Sequence, residues 1–473
     1  MRIFLLLFVL AGLAACSPLA DQENVSLSGE LENLTEEVVE LNFFRDHINN
    51  DRKVITFLPE ENSSFSATFD VPGPLLGTIT SGRDYLEVFL EPGYFLQLEG
   101  DARQLNGLHF SGSGGRVNNF LRDYQNEMEA RLTRPYMQDK ARNLAPEAYA
   151  FFADSIAGEK TGFLQSYPQS AEFSPAFLQF FETRVMYERF QKLLDYPEWH
   201  QQLNNLDEKP ALQEDYYDFL DQATRFDGDR LNNLTYVNFL LSYLDHKRET
   251  EDRHFPEEES RHSINYELAA DYLSGRSKYY IQALSVSREM NSGDLDLGLE
   301  LYHDFMKHSP EEAYKEKLEA NYVAMQSVWP GNPAPDFTMT DIHGEEVSLS
   351  DYHGKVVYLK FWASWCGPCM REVPPASELK ERMRMEDDLV FMYVSIDADP
   401  DAWRGAVQRH GITGVHFNTP GRERGVPAEY RVRWIPSFFI IGRDGTIFDN
   451  RPPKPSDPDI DELLMAALAE QEI

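Results

Sequence analysis

The chain has 473 residues, with 44 Lys plus Arg against 79 Asp plus Glu and a formal charge of −35. So acidic a chain repels phosphate backbones and anionic headgroups, which excludes nucleic acid as a partner and adsorption to a bilayer by charge. Length predicts two to three domains, and only three cysteines are present.

Met1-Arg2 precedes an apolar run from Ile3 to Leu13, too short to cross a membrane, which ends in Leu13-Ala14-Ala15-Cys16. That ending resembles a bacterial lipobox. The resemblance implies a lipoprotein signal peptide over 1–15, cleavage before Cys16, lipidation of Cys16 and a lipidated tether over 16–24. The alternative is an ordinary signal peptide cleaved nearby, leaving Cys16 as a free thiol. A free exposed thiol is out of place in an exported chain this poor in cysteine. The expected location is the bacterial cell envelope, anchored to the lipid bilayer through acylated Cys16 and facing the periplasm. Ser17, in place of an Asp after the lipidated residue, points towards the outer membrane.

From Val25 to Gly112, short alternating stretches read as strands: Val38 to Phe44, Lys53 to Phe57, Phe65 to Val71, Leu76 to Thr80, Tyr85 to Leu90 and Tyr94 to Leu98. Turns at Pro72-Gly73-Pro74, Ser81-Gly82 and Glu91-Pro92-Gly93 separate them, which predicts a small antiparallel β domain over 25–112, sandwich-like. No cluster of catalytic side chains stands out there. Ser111-Gly112-Ser113-Gly114-Gly115 marks a boundary, and 113–328 reads as an all-α domain. Phe177, Phe180, Phe181, Arg184 and Tyr187 to Phe190 lie at helical spacing, a stripe better suited to helix packing than to a ligand groove. Pro168, Pro175, Pro197, Pro210 and Pro310 are expected to space the helices. The run Glu249 to Arg261 reads as a polar loop.

The last stretch, 329–473, alternates strand and helix. Val356 to Trp362 closes a strand beginning at Gly354, Cys369 to Met385 reads as a helix, Leu389 to Asp397 as a buried strand and Asp401 to His410 as a short helix. Phe438 to Ile441 enters a turn at Asp444-Gly445, and the pattern argues an α/β sheet covered on both faces. In Trp365-Cys366-Gly367-Pro368-Cys369 the first thiol falls at a helix N-terminus, where unpaired N–H groups favour a thiolate. This reads as a dithiol redox centre. A zinc site lacks ligands, since no second cysteine pair exists and His303 and His308 are five apart on different helix faces. An inert structural disulfide across so short a loop would gain little stability.

Several segments carry a resemblance. They are Gly331-Asn332-Pro333-Ala334-Pro335-Asp336-Phe337, Phe361-Trp362-Ala363-Ser364-Trp365-Cys366-Gly367-Pro368-Cys369, Arg371-Glu372-Val373-Pro374 and Trp434-Ile435-Pro436-Ser437-Phe438-Phe439-Ile440. Together they resemble the thioredoxin-fold domain of the TlpA/ResA-like thiol-disulfide oxidoreductases, over about 140 residues. The resemblance implies a C-terminal α/β thioredoxin fold, so that the whole chain is multidomain: antiparallel β, then all-α, then thioredoxin-like. It implies a redox-active disulfide between Cys366 and Cys369, with Pro436 as a cis-proline that holds substrate backbone. Glu372 takes the place of an acidic residue near the active site, able to relay the Cys369 proton. The competing reading of Glu372 is a solvated helix-surface side chain. Trp365 shields the disulfide, or else packs in an ordinary way. Lys360 stands where cytoplasmic thioredoxins carry a buried Asp, and either favours a thiolate or snorkels to the surface.

The expected chemistry is reduction of client protein disulfides, fed by a membrane electron donor and needing no cofactor or metal. The same site run backwards is a disulfide donor. A third reading makes the upstream region an envelope binding or scaffold module with a regulatory redox domain.

Overall fold

A computed structural model describes residues 24–470, apart from 35–37, 61–62, 83, 224–227, 251–252, 257–258, 293–294 and 423–424. Cys16 and the rest of the leader lie outside the described residues. No helix among the described residues is long and apolar enough to cross a membrane. The chain divides into two compact units, Met1–Leu318 and Glu319–Ile473.

Among the described residues the first unit starts with the strands β1 (Asn24–Glu32), β2 (Val39–Asp46), β3 (Asp51–Thr56), β4 (Ser64–Asp70), β5 (Leu75–Ser81), β6 (Asp84–Leu90), β7 (Phe95–Asp101) and β8 (His109–Gly112). They form two four-stranded sheets, ordered β4-β1-β7-β8 and β3-β2-β5-β6. Alternate residues such as Leu27, Leu41, Phe43, Phe65, Ile79 and Leu96 meet in one core, as a period of two dictates. One pairing departs from the antiparallel expectation: β1 runs parallel to β7. The long connection between them supplies the crossover that a parallel pair requires.

Among the described residues the α-helices that follow are α1 (Gly115–Glu127), α2 (Arg134–Asn143), α3 (Pro146–Ser166), α4 (Pro175–Asn204), α5 (Leu220–Ala223), α6 (Leu234–Thr250), α7 (Arg261–Tyr272), α8 (Gly275–Ser292), α9 (Leu295–His308) and α10 (Glu312–Gln326). The aromatic stripe is core. Phe177, Phe181, Tyr187 and Phe190 are buried, and Phe120 on α1 sits among six rings at 5.1–5.9 Å. Phe89 of β6 joins that helical core, and Asn118 of α1 bonds both its N–H and its C=O, at 2.7 and 3.1 Å. Strands and helices upstream of Glu319 therefore pack as one unit. Pro197 does not separate helices as expected. It lies inside α4, whose start is set by Pro175 and the Ser174 cap.

The second unit carries a short hairpin of β9 (Thr338–Thr340) and β10 (Glu346–Ser348), then β11 (Val356–Trp362), α11 (Gly367–Arg371), α12 (Val373–Arg382), β12 (Leu389–Ser395) and α13 (Pro400–His410). It closes with β13 (Val415–Asn418), α14 (Gly425–Glu429), β14 (Ser437–Ile441), β15 (Ile447–Asp449) and α15 (Ile460–Ala469). The main sheet has the order β13-β12-β11-β14-β15, with β11 to β13 parallel and the last two strands antiparallel. β11 lies at its centre with every residue buried, which explains its unbroken apolar run. The single helix expected from Cys369 to Met385 is two. Pro374 and Pro375 have no N–H to give the preceding turn, so α11 ends at Arg371 and Glu372 becomes the junction residue.

The candidate redox centre

The site grows from the C-terminal end of β11. After Trp362 the chain turns through Ala363 and Ser364, and the Cys366 N–H closes that turn on the Ala363 carbonyl at 3.2 Å. Cys366 is then the N-cap of α11. Its sulfur accepts from the Cys369 N–H at 3.1 Å, and Pro368 occupies the first turn where no donor is needed. The two sulfurs are bonded at 2.07 Å. Cys366 is 5% exposed and Cys369 is sealed at 0%, so of the two residues only the first keeps any surface towards solvent.

Ile435–Pro436 is a cis peptide bond, and the Ile435 carbonyl oxygen lies 3.6 Å from Cys366 Sγ. The disulfide sulfur carries no proton, so this is a contact; in the reduced state the thiol can donate across it. Trp365 projects from the surface at 66% exposure, which rules out ordinary core packing. Trp434 is also exposed.

Beneath the pair lies a buried set of charges. Lys360, on β11, is 3% exposed, so it does not snorkel. Its Nζ donates to the Cys369 carbonyl at 3.3 Å. Burial brings its pKa down to about 8, opposed by the attraction of Glu372. Glu372 is itself buried, not solvated, with one carboxylate oxygen taking the Ser456 N–H at 3.1 Å and the other the Ser456 hydroxyl at 2.9 Å. Lys380 is likewise brought down to about 8, by burial first and by the charge of Lys360 second.

Two partners escaped sequence reasoning. Ser456 comes 84 residues after the carboxylate it holds, in a polar stretch with no periodicity. Asp397, 1% exposed, accepts from the Ser364 N–H (2.9 Å), the Ser364 hydroxyl (2.6 Å) and the Ser395 hydroxyl (2.6 Å). The signal it leaves in the sequence is an acidic residue at the end of the apolar run from Leu389. Among the described residues no group of three or more His, Cys, Asp or Glu is placed to hold a metal ion.

Residues 330–464 match the Redoxin family. The thiol-disulfide oxidoreductase ResA of Bacillus thuringiensis is 29% identical over 153 residues, 32% of this chain and 78% of that protein. The thioredoxin-like protein YneN of Bacillus subtilis is 32% identical over 120 residues, covering 25% of this chain and 69% of that one. The chain belongs to the ResA-like thiol-disulfide oxidoreductases. The thioredoxin domain of a thiol-disulfide oxidoreductase from Bacteroides vulgatus aligns over 30% of this chain and 98% of its own, at 22% identity and a TM-score of 0.27. Thiol-disulfide exchange is the activity that the Redoxin match and the ResA relatives give this chain.

Proposed function

We propose that the protein is a lipid-anchored envelope enzyme that reduces client protein disulfides. The anchor is the acylated Cys16, supported by the lipobox-like leader, and the working face looks into the periplasm. The observation that carries the reading is the asymmetry of the pair, with Cys366 presented at the head of α11 and Cys369 sealed behind it.

In the reducing direction the Cys366 thiolate attacks a client disulfide. A Cys366–client disulfide forms, and one client sulfur leaves as a thiolate. Pro436 holds the client backbone beside the sulfur, and Trp365 forms the rim. Cys369 then loses its proton to Glu372 and attacks Cys366. The second client sulfur leaves, and the two electrons of the dithiol have passed to the client as Cys366–Cys369 closes. A membrane electron donor returns the pair to the dithiol. Gly-Pro between the cysteines supports this direction, as the pairing that resembles reducing thioredoxins.

The test is the midpoint potential of Cys366/Cys369 in the full chain, equilibrated in glutathione and dithiothreitol buffers. A value near the roughly −270 mV of thioredoxin supports a reductant; one near about −120 mV makes the protein a disulfide donor and sinks the proposal.

A further inference from the structure

The exchange mechanism has no use for Asp397, yet this carboxylate is more deeply buried than Glu372. Its three donors are all neutral, and among the described residues no Lys or Arg pairs with it. Burying a carboxylate against hydroxyl and amide dipoles alone is costly, and an apolar residue would close the end of β12 more cheaply. The donors also have a direction. Two of the three come from Ser364, inside the turn that the Cys366 N–H closes on Ala363. The third, Ser395, also takes the Asp397 N–H at 3.0 Å, and Asn418 of β13 donates to the Asp397 carbonyl at 2.9 Å. The ends of β12 and β13 are thereby tied to the turn that carries the exposed cysteine.

Standard bond lengths, together with the bonds from the Ser364 N–H to Asp397 and from the Cys366 N–H to Ala363, keep the carboxylate within about 12 Å of the Cys366 sulfur. We infer that Asp397 is a positioning residue for the Cys366 turn and that its negative charge holds the potential of the dithiol down. The charge opposes a thiolate at Cys366, which disfavours the reduced pair relative to the disulfide. A better reductant results. The inference rests on Cys366 being the attacking thiol of the proposed function.

A unit charge at that range in a protein interior shifts a thiolate equilibrium by about threefold to tenfold. Measured at about pH 9, above the ordinary thiol pKa of about 8.5, this appears in the midpoint potential. Asp397→Asn in the full chain is expected to raise that potential by about 15 to 30 mV, the same fold-change at about 30 mV per tenfold. Ser364→Ala removes a hydroxyl whose dipole offsets part of the charge, so it is expected to lower the potential by a smaller amount. A merely structural role moves both variants the same way, or moves only their melting temperatures. Either result overturns the inference. Should Asp397→Asn not fold, Ser364→Ala decides alone, and a rise or no shift overturns it. If the wild-type chain shows no two-electron midpoint at all, the redox reading fails first, and the two failures are distinguishable.

Discussion

Lys360→Met should make the redox unit more stable and less active. Holding a lysine at about 8, against its ordinary 10.5, costs about 3 kcal/mol of folding free energy at neutral pH, at about 1.4 kcal/mol per tenfold in proton affinity. Methionine fills the same space without the charge. The loss of the bond to the Cys369 carbonyl returns about 1 kcal/mol, because that acceptor is left inside. The net gain is about 2 kcal/mol at pH 7, and relief of the repulsion on Lys380 acts in the same direction. The pH dependence has a definite sign. Below about 8 the folded and unfolded chains both hold the proton, and the full penalty is present. Between about 8 and 10.5 the folded chain releases it first, the wild type gains stability, and the advantage of the variant falls to about zero near pH 10. Urea denaturation followed by tryptophan fluorescence reads this unit, since five of the six tryptophans (329, 362, 365, 403 and 434) lie in it. A variant less stable than wild type at pH 7, or an advantage that persists unchanged to pH 10, refutes the reasoning.

Cys369→Ser should accumulate a mixed disulfide between Cys366 and client, visible on a non-reducing gel, whereas Cys366→Ser should give none; adducts on the second variant would reverse the assigned roles. Glu372→Gln should lengthen the lifetime of that mixed disulfide at neutral pH, in a stopped-flow measurement, without altering its rate of formation. Ser456→Ala should destabilise the unit by about 1 kcal/mol and slow the same step, with Ser456→Thr restoring both; a Thr variant as slow as Ala would detach Ser456 from the chemistry. Phe120→Ala should cost the upstream unit about 3 to 5 kcal/mol by calorimetry and leave the dithiol potential untouched. A shifted potential would mean that the two units are energetically coupled.

Local rules made much of the second unit legible. The buried run of β11, the Gly-Pro between the cysteines and the Asp444-Gly445 turn each state their conformation within a few residues, and Gly445 takes φ +79 as that turn requires. The first strand was missed for a physical reason. Its alternation, Val25, Leu27, Leu31, is interrupted at Gly29, where a Cβ would lie 2.2 Å from the Leu98 carbonyl oxygen, so the apolar signal fails where no side chain fits against β7. The parallel pairing of β1 with β7 had no local cue. Nor did the grip of Ser456 on Glu372, since a hydrogen bond across 84 residues leaves no trace in spacing. Lys360 could be read in two ways because burial belongs to the sheet as a whole, and only the covered face of β11 removes the snorkelling route.

The charges around the dithiol are divided between its two sulfurs. Lys360 places a cation against the backbone of Cys369, and Asp397 places an anion behind the turn that carries Cys366. A positive charge near Cys369 lowers the barrier to its thiolate, the species that must attack the mixed disulfide and release the client. A negative charge near Cys366 weakens its thiolate relative to the disulfide, which makes transfer of electrons to a client more favourable. Each arrangement is costly as structure, one by burying a lysine and the other by burying a carboxylate among neutral donors. The cation acts on the rate at which the mixed disulfide is resolved, and the anion on the potential of the pair. On the potential the two charges act in opposite senses: the cation favours the reduced pair and the anion disfavours it, so reducing power given up at Cys369 for faster release of the client is recovered at Cys366.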